Sequence, residues 1–187
     1  MKVGVLGVGA MGSLFGGSLK LAGYDVKLIF RNKKNQNLVN KNGLKLNLDS
    51  GKHIVYPNAI HTSDNHTFDL ILILTKTTHT FNALSSIKHL IKPLTVLMSL
   101  QNGLGNDLVL SKFTSKSNVI YGTSMAPADL IHPGEVTSHG THVTHFRPLG
   151  KLAINHAQNL ETMLNNAGLK SYINQNVDNI IWNKIAF

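Results

Sequence analysis

Three glycines near the start of the chain have the spacing of a phosphate-binding turn. Gly7, Gly9 and Gly12 follow a short apolar run and precede a stretch with a helical pattern. Gly7 permits a tight turn, Gly9 lets a pyrophosphate approach the backbone, and Gly12 lets the helix pack close to the strand. The helix N-terminus then presents free N–H groups to the phosphates. Since the turn lies between a predicted strand and a predicted helix, it predicts a dinucleotide-binding loop. The residues expected to contact the dinucleotide are Gly7, Val8, Gly9, Ala10, Met11 and Gly12.

The next predicted strand, residues 25–30, is followed by cations where NAD-binding proteins usually carry a carboxylate. Arg31 can hold a 2′-phosphate with its planar guanidinium, whereas a carboxylate would repel one. Lys33 and Lys34 stand at the predicted start of a helix, where the macrodipole disfavours cations unless an anion binds nearby. The pattern therefore favours NADP(H) over NAD(H), with a solvated basic turn as the alternative.

Composition and charge limit the classes of partner. The 187 residues carry a net charge of +9, and eight Lys or Arg against two Asp fall between Lys20 and Lys52. Such a field attracts small anions. Because few aromatic residues accompany these charges, we expect no nucleic-acid partner. The sequence has no cysteine and no apolar run of transmembrane length, and we expect no signal peptide, no membrane partner and a cytoplasmic location.

Strand and helix patterns alternate along the chain, which predicts an α/β fold with a Rossmann-type, doubly wound parallel sheet. The expected helices are residues 10–21, 33–39, 80–91 and 156–166. The expected strands are residues 3–6, 25–30, 44–48, 54–56, 69–75, 95–100, 119–121 and 169–173. The β-branched alternation in residues 134–146 predicts antiparallel strands at the edge of that sheet.

The last residues, 176–187, have the pattern of a further helix. Its expected apolar face consists of Ile181, Trp182, Ile185 and Ala186. The pattern runs to Phe187 without a cap, a glycine or a proline, so we expect this helix to begin a second, helical domain. The domains are then residues 1–175, which bind the dinucleotide, and residues 176–187, the start of a truncated second domain.

Three histidines recur at every third position, His139, His142 and His145. On a strand His139 and His145 share one face and His142 points to the other. No cysteine and few carboxylates are near them, so we expect no metal site.

Six short motifs are spread over the chain. They are GVGAMG at 7–12, the strand end at Arg31, Thr75-Lys76, QNGLG at 101–105, PGEV at 133–136 and IWNKIA at 181–186. Together they resemble the ketopantoate reductase (2-dehydropantoate 2-reductase) family, along essentially the whole chain. The glycine motif alone is shared with many dehydrogenases, whereas the spaced set of Lys76, the QNG loop and the WxK helix is much more specific.

The resemblance implies a reaction in which NADPH delivers hydride to the keto carbon of ketopantoate, giving pantoate for pantothenate and coenzyme A biosynthesis. It implies that Lys184, in the WxK helix, is the general acid and contacts the substrate. It also implies that Lys76 and Asn102 lie at the cofactor, and Asn102 at the substrate as well. Both follow buried strands, at the carboxyl edge where ligands bind in open α/β sheets.

The resemblance also implies that part of the substrate site is missing from these residues. The acidic and serine residues that hold the substrate belong to the family's second domain. We therefore expect Lys184 to be mobile and solvated and the chain to be inactive or nearly so, with a homodimer through the exposed apolar face as a candidate assembly.

Two alternative functions stay open. One is another NADP-dependent 2-keto or β-hydroxyacid dehydrogenase, which would share the glycine motif and a catalytic lysine. The other is a non-catalytic remnant that binds a dinucleotide.

Overall fold

The computed structural model describes residues 1–186, apart from the side chain of Ile185. Phe187, the last residue of the predicted helix 176–187, lies outside the described residues. The strands are β1 Val3–Leu6, β2 Val26–Phe30, β3 Leu44–Leu48, β4 Gly51–Val55, β5 Ile60–His61, β6 Leu70–Ile73, β7 Val96–Ser99, β8 Val119–Ser124, β9 Asp129–His132, β10 Glu135–Ser138, β11 Thr144–Pro148 and β12 Ser171–Ile173. The helices are α1 Ala10–Leu21, α2 Lys33–Asn42, α3 Thr80–Ser86, α4 Asn106–Leu110, α5 Lys151–Asn166 and α6 Val177–Ala186.

The main sheet has eight strands in the order β12-β11-β8-β7-β6-β1-β2-β5. From β8 to β5 every neighbouring pair is parallel, with β1 at the centre between β6 and β2. β1 and β6 are fully buried, as expected for central strands covered on both faces. The predicted α/β, doubly wound parallel sheet is therefore confirmed.

Two apolar layers cover the two faces of the main sheet. One contains Leu14 and Phe15 of α1 together with Leu160 and Leu164 of α5. The other contains residues of α3 and α4, among them Leu84. Burial of these side chains is the main stabilising contribution, at about 25 cal/mol per Å² of apolar surface.

A second, four-stranded sheet has the order β4-β3-β10-β9 and packs on α1. The prediction that residues 134–146 form strands at the edge of the main sheet is therefore only partly right. β11 does join the main sheet, antiparallel to β8, but β10 pairs with β3 and β9. Alternation indicates a strand with two different faces, and it does not indicate which sheet that strand joins.

Several helix boundaries differ from the predicted ones. The helix expected over residues 80–91 ends at Ser86 and continues as a 3₁₀ turn at Lys88–Leu90. The hydroxyls of Ser85 and Ser86 bond to backbone carbonyls of the preceding turn, which competes with regular helix bonds. α5 begins at Lys151 rather than at residue 156, because the Ser117 hydroxyl, from another segment, accepts from a first-turn N–H. The short helix α4 has no counterpart among the predicted helices.

Candidate active site

The glycine turn joins β1 to α1, and each glycine meets a different surrounding. Gly7 has φ +97°, and a Cβ there would lie 2.4 Å from the backbone nitrogen of Thr75. A Cβ on Gly12 would lie 2.1 Å from the carbonyl oxygen of Gly7. A Cβ on Gly9, by contrast, would meet nothing within 4 Å. Gly7 and Gly12 thus permit close packing of the turn, while Gly9 faces open space of the kind that a pyrophosphate needs.

The N-terminus of α1 opens into a cavity of about 610 Å³ at the carboxyl edge of the sheet. Gly9 precedes the helix, and no side chain caps its first N–H groups. The lining joins the glycine loop, including Val8, Ala10 and Met11, to Lys76, Asn102, Ser124 and Lys184. Uncapped N–H groups with a positive macrodipole are complementary to phosphate, so the loop fits the dinucleotide that the sequence predicts.

A neighbouring cavity of about 330 Å³ shares Gly7 and Val8 with the first and extends to Arg31. Among the described lining residues of both cavities there is no Asp or Glu. The side chain of Asn32 accepts from the N–H groups of Lys34 and Asn35, so it already caps α2. Arg31 is the one Lys or Arg among the described residues that line this cavity, and we expect it to contact an anion bound there.

Arg31 is held in place by a residue that sequence analysis missed. His61, at the end of β5, donates from Nε2 to the carbonyl oxygen of Arg31 at 3.0 Å. Its Nδ1 accepts from the backbone N–H of Ser63 at 3.2 Å, and this assigns the Nε2–H tautomer. The edge strand β5 was not predicted, because two residues carry too little pattern.

Lys76 and Asn102 follow β6 and β7 at the same edge of the sheet, as predicted. The buried side chain of Gln101 joins the two loops: its amide donates to the Thr75 carbonyl at 2.6 Å and to the Thr80 hydroxyl at 2.7 Å. Sequence analysis named the QNG loop but gave Gln101 no role. A long amide directly after a buried strand was the available signal.

The backbone of Asn102 is fixed from two sides. The Thr77 hydroxyl donates to its carbonyl oxygen at 3.1 Å, and the buried Asn106 amide donates to the same oxygen at 3.3 Å. Because its backbone is held in this way, the Asn102 side chain has a defined position at the mouth of the larger cavity.

Lys184 reaches that position from α6. Its Nζ donates to Asn102 Oδ1 at 2.6 Å, to the carbonyl oxygen of Ser124 at 2.6 Å and to the Thr123 hydroxyl at 3.4 Å. The side chain is half-buried, so the expectation of a solvated lysine is wrong for this structure. Lys184 lies three positions after Ile181 and seven after Val177, both buried, and it therefore projects from the sheet-facing side of α6.

The predicted apolar face of α6 is also only partly right. Ile181 is buried beside Tyr121 and Val177, but Trp182 is 59% exposed and Ala186 is exposed. Adjacent residues on a helix point about 100° apart, so Ile181 and Trp182 cannot share one narrow contact. The side chain of Ile185 lies outside the described residues.

Burial lowers the pKa of Lys184 below the ordinary lysine value. Its three hydrogen-bond partners are neutral oxygens, and they compensate only in part for the lost hydration. A lysine held in this way can give up a proton more readily than a solvated one, as a proton donor near neutral pH requires.

The three histidines lie apart from this site. His139 and His142 belong to the connection between β10 and β11, and only His145 is on a strand. The prediction that the three histidines lie on one strand, with His139 and His145 on the same face, is therefore wrong. His139 contacts Asp49 at 2.7 Å and His142 contacts Ser138 at 2.7 Å. In residues 1–186 no three His, Asp or Glu side chains come together as a metal site would need.

No helix within residues 1–186 has the length and apolar character needed to cross a membrane.

Comparisons with known proteins agree with the fold. The family model of ketopantoate reductase PanE/ApbA matches residues 3–151. The 2-dehydropantoate 2-reductase of Pyrococcus abyssi is 33% identical over 186 residues, and that of Lactococcus lactis is 29% identical over 187 residues. Each alignment covers 98% of this chain and 60% of the relative. The chain thus spans about three fifths of the length of these curated relatives.

Two solved structures have the same fold as this chain. D-mandelate dehydrogenase, solved with NADH and anilino(oxo)acetate, superposes with a TM-score of 0.91 at 30% identity, covering 98% of this chain and 60% of that one. A PanE/ApbA family ketopantoate reductase from Ralstonia eutropha JMP134 has a TM-score of 0.85 at 27% identity, with coverages of 99% and 60%. Since the family model matches well over half of its residues, the chain belongs to the ketopantoate reductase (PanE/ApbA) family of oxidoreductases, which use a nicotinamide dinucleotide.

Proposed function

We propose that this chain supplies the cofactor site and the proton donor of an NADPH-dependent reductase that converts ketopantoate (2-dehydropantoate) to pantoate, in pantothenate and coenzyme A biosynthesis. The observation that carries the proposal is the contact of Lys184 Nζ with Asn102 Oδ1, at the cavity that the glycine loop also lines. It brings a proton donor from α6 to the edge of the sheet where dinucleotides bind in this fold class.

Each predicted residue has a role in this proposal. The glycine-loop residues, Gly7 to Gly12, bind the pyrophosphate through the loop backbone and the N-terminus of α1, and Arg31 binds the 2′-phosphate of the adenosine. Lys76 and Asn102 hold the nicotinamide end of the cofactor from the loops after β6 and β7.

The bound cofactor supplies hydride to the keto carbon. Lys184 Nζ donates a proton to the keto oxygen, so that the carbonyl becomes a hydroxyl and the lysine becomes neutral. Before that, the ammonium of Lys184 stabilises the negative charge that develops on the oxygen. Asn102 orients the lysine through Oδ1 and donates from Nδ2 to substrate or cofactor. To donate to the keto oxygen, Lys184 Nζ gives up its longest hydrogen bond, the 3.4 Å contact to the Thr123 hydroxyl.

A second candidate is reduction of a different 2-keto acid with NADH. It is favoured by the likeness to D-mandelate dehydrogenase, which was solved with NADH. Arg31 and the lack of a carboxylate among the described lining residues of the smaller cavity support NADPH instead. The choice of substrate depends on side chains that close over the keto acid.

The proposed domain boundary lies at residues 175 and 176. Residues 1–175 form the NADP-binding domain, and α6 begins a helical domain that, as the family resemblance implies, completes the substrate site. On this basis the 187 residues alone reduce ketopantoate much more slowly than a chain with that domain. Exposed Trp182 and Met125, 59% and 48% accessible, are candidate contacts for it or for a second copy in a homodimer. The proposed location is the cytoplasm, where a pathway to coenzyme A would use it.

The proposal is tested by NADPH and NADH oxidation with ketopantoate and with an aromatic 2-keto acid. The chain carrying a relative's second domain is compared with the same protein bearing Lys184→Met. Faster turnover with NADPH and ketopantoate, together with loss of that turnover in Lys184→Met, supports the proposal. Preference for NADH and the aromatic acid supports the second candidate. Turnover that is unchanged by Lys184→Met contradicts both.

A further inference from the structure

The first turn of α6 is tied to the main sheet by one carboxylate. Asp178 Oδ1 accepts from the Tyr121 hydroxyl at 2.8 Å, and Oδ2 accepts from an Arg147 guanidinium nitrogen at 2.7 Å. Tyr121 belongs to β8 and Arg147 to β11, which pair with each other directly. The Arg147 guanidinium also lies 5.9 Å from the centre of the Tyr121 ring. Three side chains from three elements therefore form one network.

This network occupies the opposite end of α6 from Lys184. Asp178 precedes Lys184 by six residues, which is about 9 Å along a helix. Apart from the hydrogen bonds of Asp178 and Lys184, the described contacts of α6 with the sheet are the apolar ones of Val177 and Ile181. A helix of ten residues is marginal in water without tertiary contacts, so its position depends on these few anchors.

Apolar contacts constrain the rotation and sliding of a helix less tightly than directional hydrogen bonds do, because their energy varies less steeply with angle. The Asp178 network has direction, since both carboxylate oxygens are engaged by donors on fixed strands. Lys184 needs such precision: two of its hydrogen bonds are 2.6 Å long, and they end on the loop after β7 and on the last residue of β8.

We propose that Asp178 is a positioning residue for Lys184, and that it acts by locking the register of α6 through Tyr121 and Arg147. It does not touch the cavity lining and is not itself a catalytic residue. The importance of this role for turnover rests on the proposed function, whereas the placement of Lys184 does not.

Two simpler roles for Asp178 make different predictions. An acidic residue in the first turn stabilises any helix through the macrodipole, and this effect would survive removal of the Tyr121 hydroxyl. A carboxylate acting on Lys184 through space would raise the pKa of the lysine, so its removal would lower that pKa. Loss of positioning does the opposite, because a displaced Lys184 becomes hydrated and its pKa rises toward the ordinary value.

The test is a measurement of the pKa of Lys184 by NMR on the 187-residue chain labelled with ¹³C at lysine Cε, the resonance being assigned with Lys184→Arg. The variants are Asp178→Ala, the milder Asp178→Asn, and Tyr121→Phe, which leaves the helix terminus unchanged. Asp129→Asn, an exposed aspartate on β9, is the matched control. Amide spectra identify any variant that fails to fold, and Tyr121→Phe keeps the test available in that case.

We expect the pKa of Lys184 to rise in Asp178→Ala and Asp178→Asn, to rise by less in Tyr121→Phe, and to stay constant in Asp129→Asn. Amide exchange in α6 should accelerate at least tenfold in the first two variants while NADPH affinity changes by less than twofold. A lowered or unchanged pKa in both Asp178 variants overturns the proposal. Because no turnover is measured, the pKa result stands even if the chain does not catalyse the proposed reaction. Likewise, a failure of the positioning proposal would not contradict the proposed reaction.

Discussion

Lys184 Nζ and Asn102 Oδ1 lie 2.6 Å apart, although 82 positions separate the two residues in the chain. The contact joins α6 to the loop after β7, and it assigns the amide orientation of Asn102. Because Oδ1 accepts from the lysine, Nδ2 is the donor that Asn102 offers to a ligand. One polar contact thus fixes a cation and an amide donor at the same cavity.

Changing the amide to a carboxylate tests that contact. In Asn102→Asp the pKa of Lys184 should rise, because an opposite charge at hydrogen-bond distance favours the ammonium. In Asn102→Ala it should change less, since burial continues to lower it. Lysine ¹³C NMR against pH measures both. An unchanged Lys184 pKa in Asn102→Asp would show that the two groups are apart in solution.

The pH profile of ketopantoate reduction, measured on the chain with a second domain, should fall on the alkaline side. The protonated lysine is the donor, so the rate is high below the pKa of Lys184 and is lost as the pH rises through it. Burial lowers that pKa, so the fall begins below the pH at which an ordinary lysine, with pKa 10.5, would titrate.

Lys184→Arg should lower kcat by about 10² to 10⁴, because a guanidinium keeps the charge but releases no proton at these pH values. NADPH affinity should change less than threefold. Lys88→Met, at an exposed lysine in the 3₁₀ turn, is the control and should leave kcat unchanged. An arginine variant with wild-type kcat would remove Lys184 from the chemistry.

The glycine turn predicts three different outcomes for three variants. Gly9→Asp should weaken dinucleotide binding by about 100-fold or more, because its carboxylate occupies and repels the pyrophosphate position. Gly9→Ala should fold normally, since a Cβ there meets nothing within 4 Å and φ is −89°. Gly12→Ala should lower the free energy of unfolding by about 2–3 kcal/mol, because its Cβ would lie 2.1 Å from the Gly7 carbonyl oxygen.

Calorimetric titration with NADPH and thermal unfolding separate the two effects. Unchanged NADPH affinity in a folded Gly9→Asp chain would show that this turn does not hold the cofactor.

Cofactor choice should depend on Arg31. We expect NADPH to bind at least tenfold more tightly than NADH, because a charged bidentate contact contributes about 1.5–3 kcal/mol. Arg31→Ala should abolish most of the preference and leave NADH affinity nearly constant. Lys41 is an exposed cation at the other end of α2, and Lys41→Ala should keep the preference for NADPH. Equal wild-type affinities, or a preference that persists in Arg31→Ala, would contradict this assignment.

Local patterns predicted most of the fold. Some features depend only on residues that are close in the sequence, and these were found where expected. They are the apolar runs of β1 and β6, the Asn32 cap of α2 and the glycine turn. The assignment of β10 to a second sheet was not predictable in this way, because strand partners are chosen by packing over long sequence distances.

The same distinction applies to the site. The glycine loop, Arg31, Lys76, Asn102 and Lys184 were named from motifs, but the motifs did not indicate that Lys184 is half-buried. Its spacing from Val177 and Ile181 was a readable signal for that. The roles of Gln101, His61 and Asp178 depend on partners 21 to 57 positions away, and sequence patterns do not report such distances.

The proposed reaction is tested most directly by NADPH oxidation with ketopantoate, followed at 340 nm. The assay compares the 187-residue chain, the chain extended by the segment that a matched reductase has outside the aligned part, and the extended chain with Lys184→Met. We expect the extended chain to turn over at least ten times faster than the short one, and Lys184→Met to remove this activity while NADPH still binds. Equal rates in the short and extended chains would contradict the proposed division of the site, and an extended, folded chain that binds NADPH but never oxidises it with ketopantoate would contradict the proposed reaction.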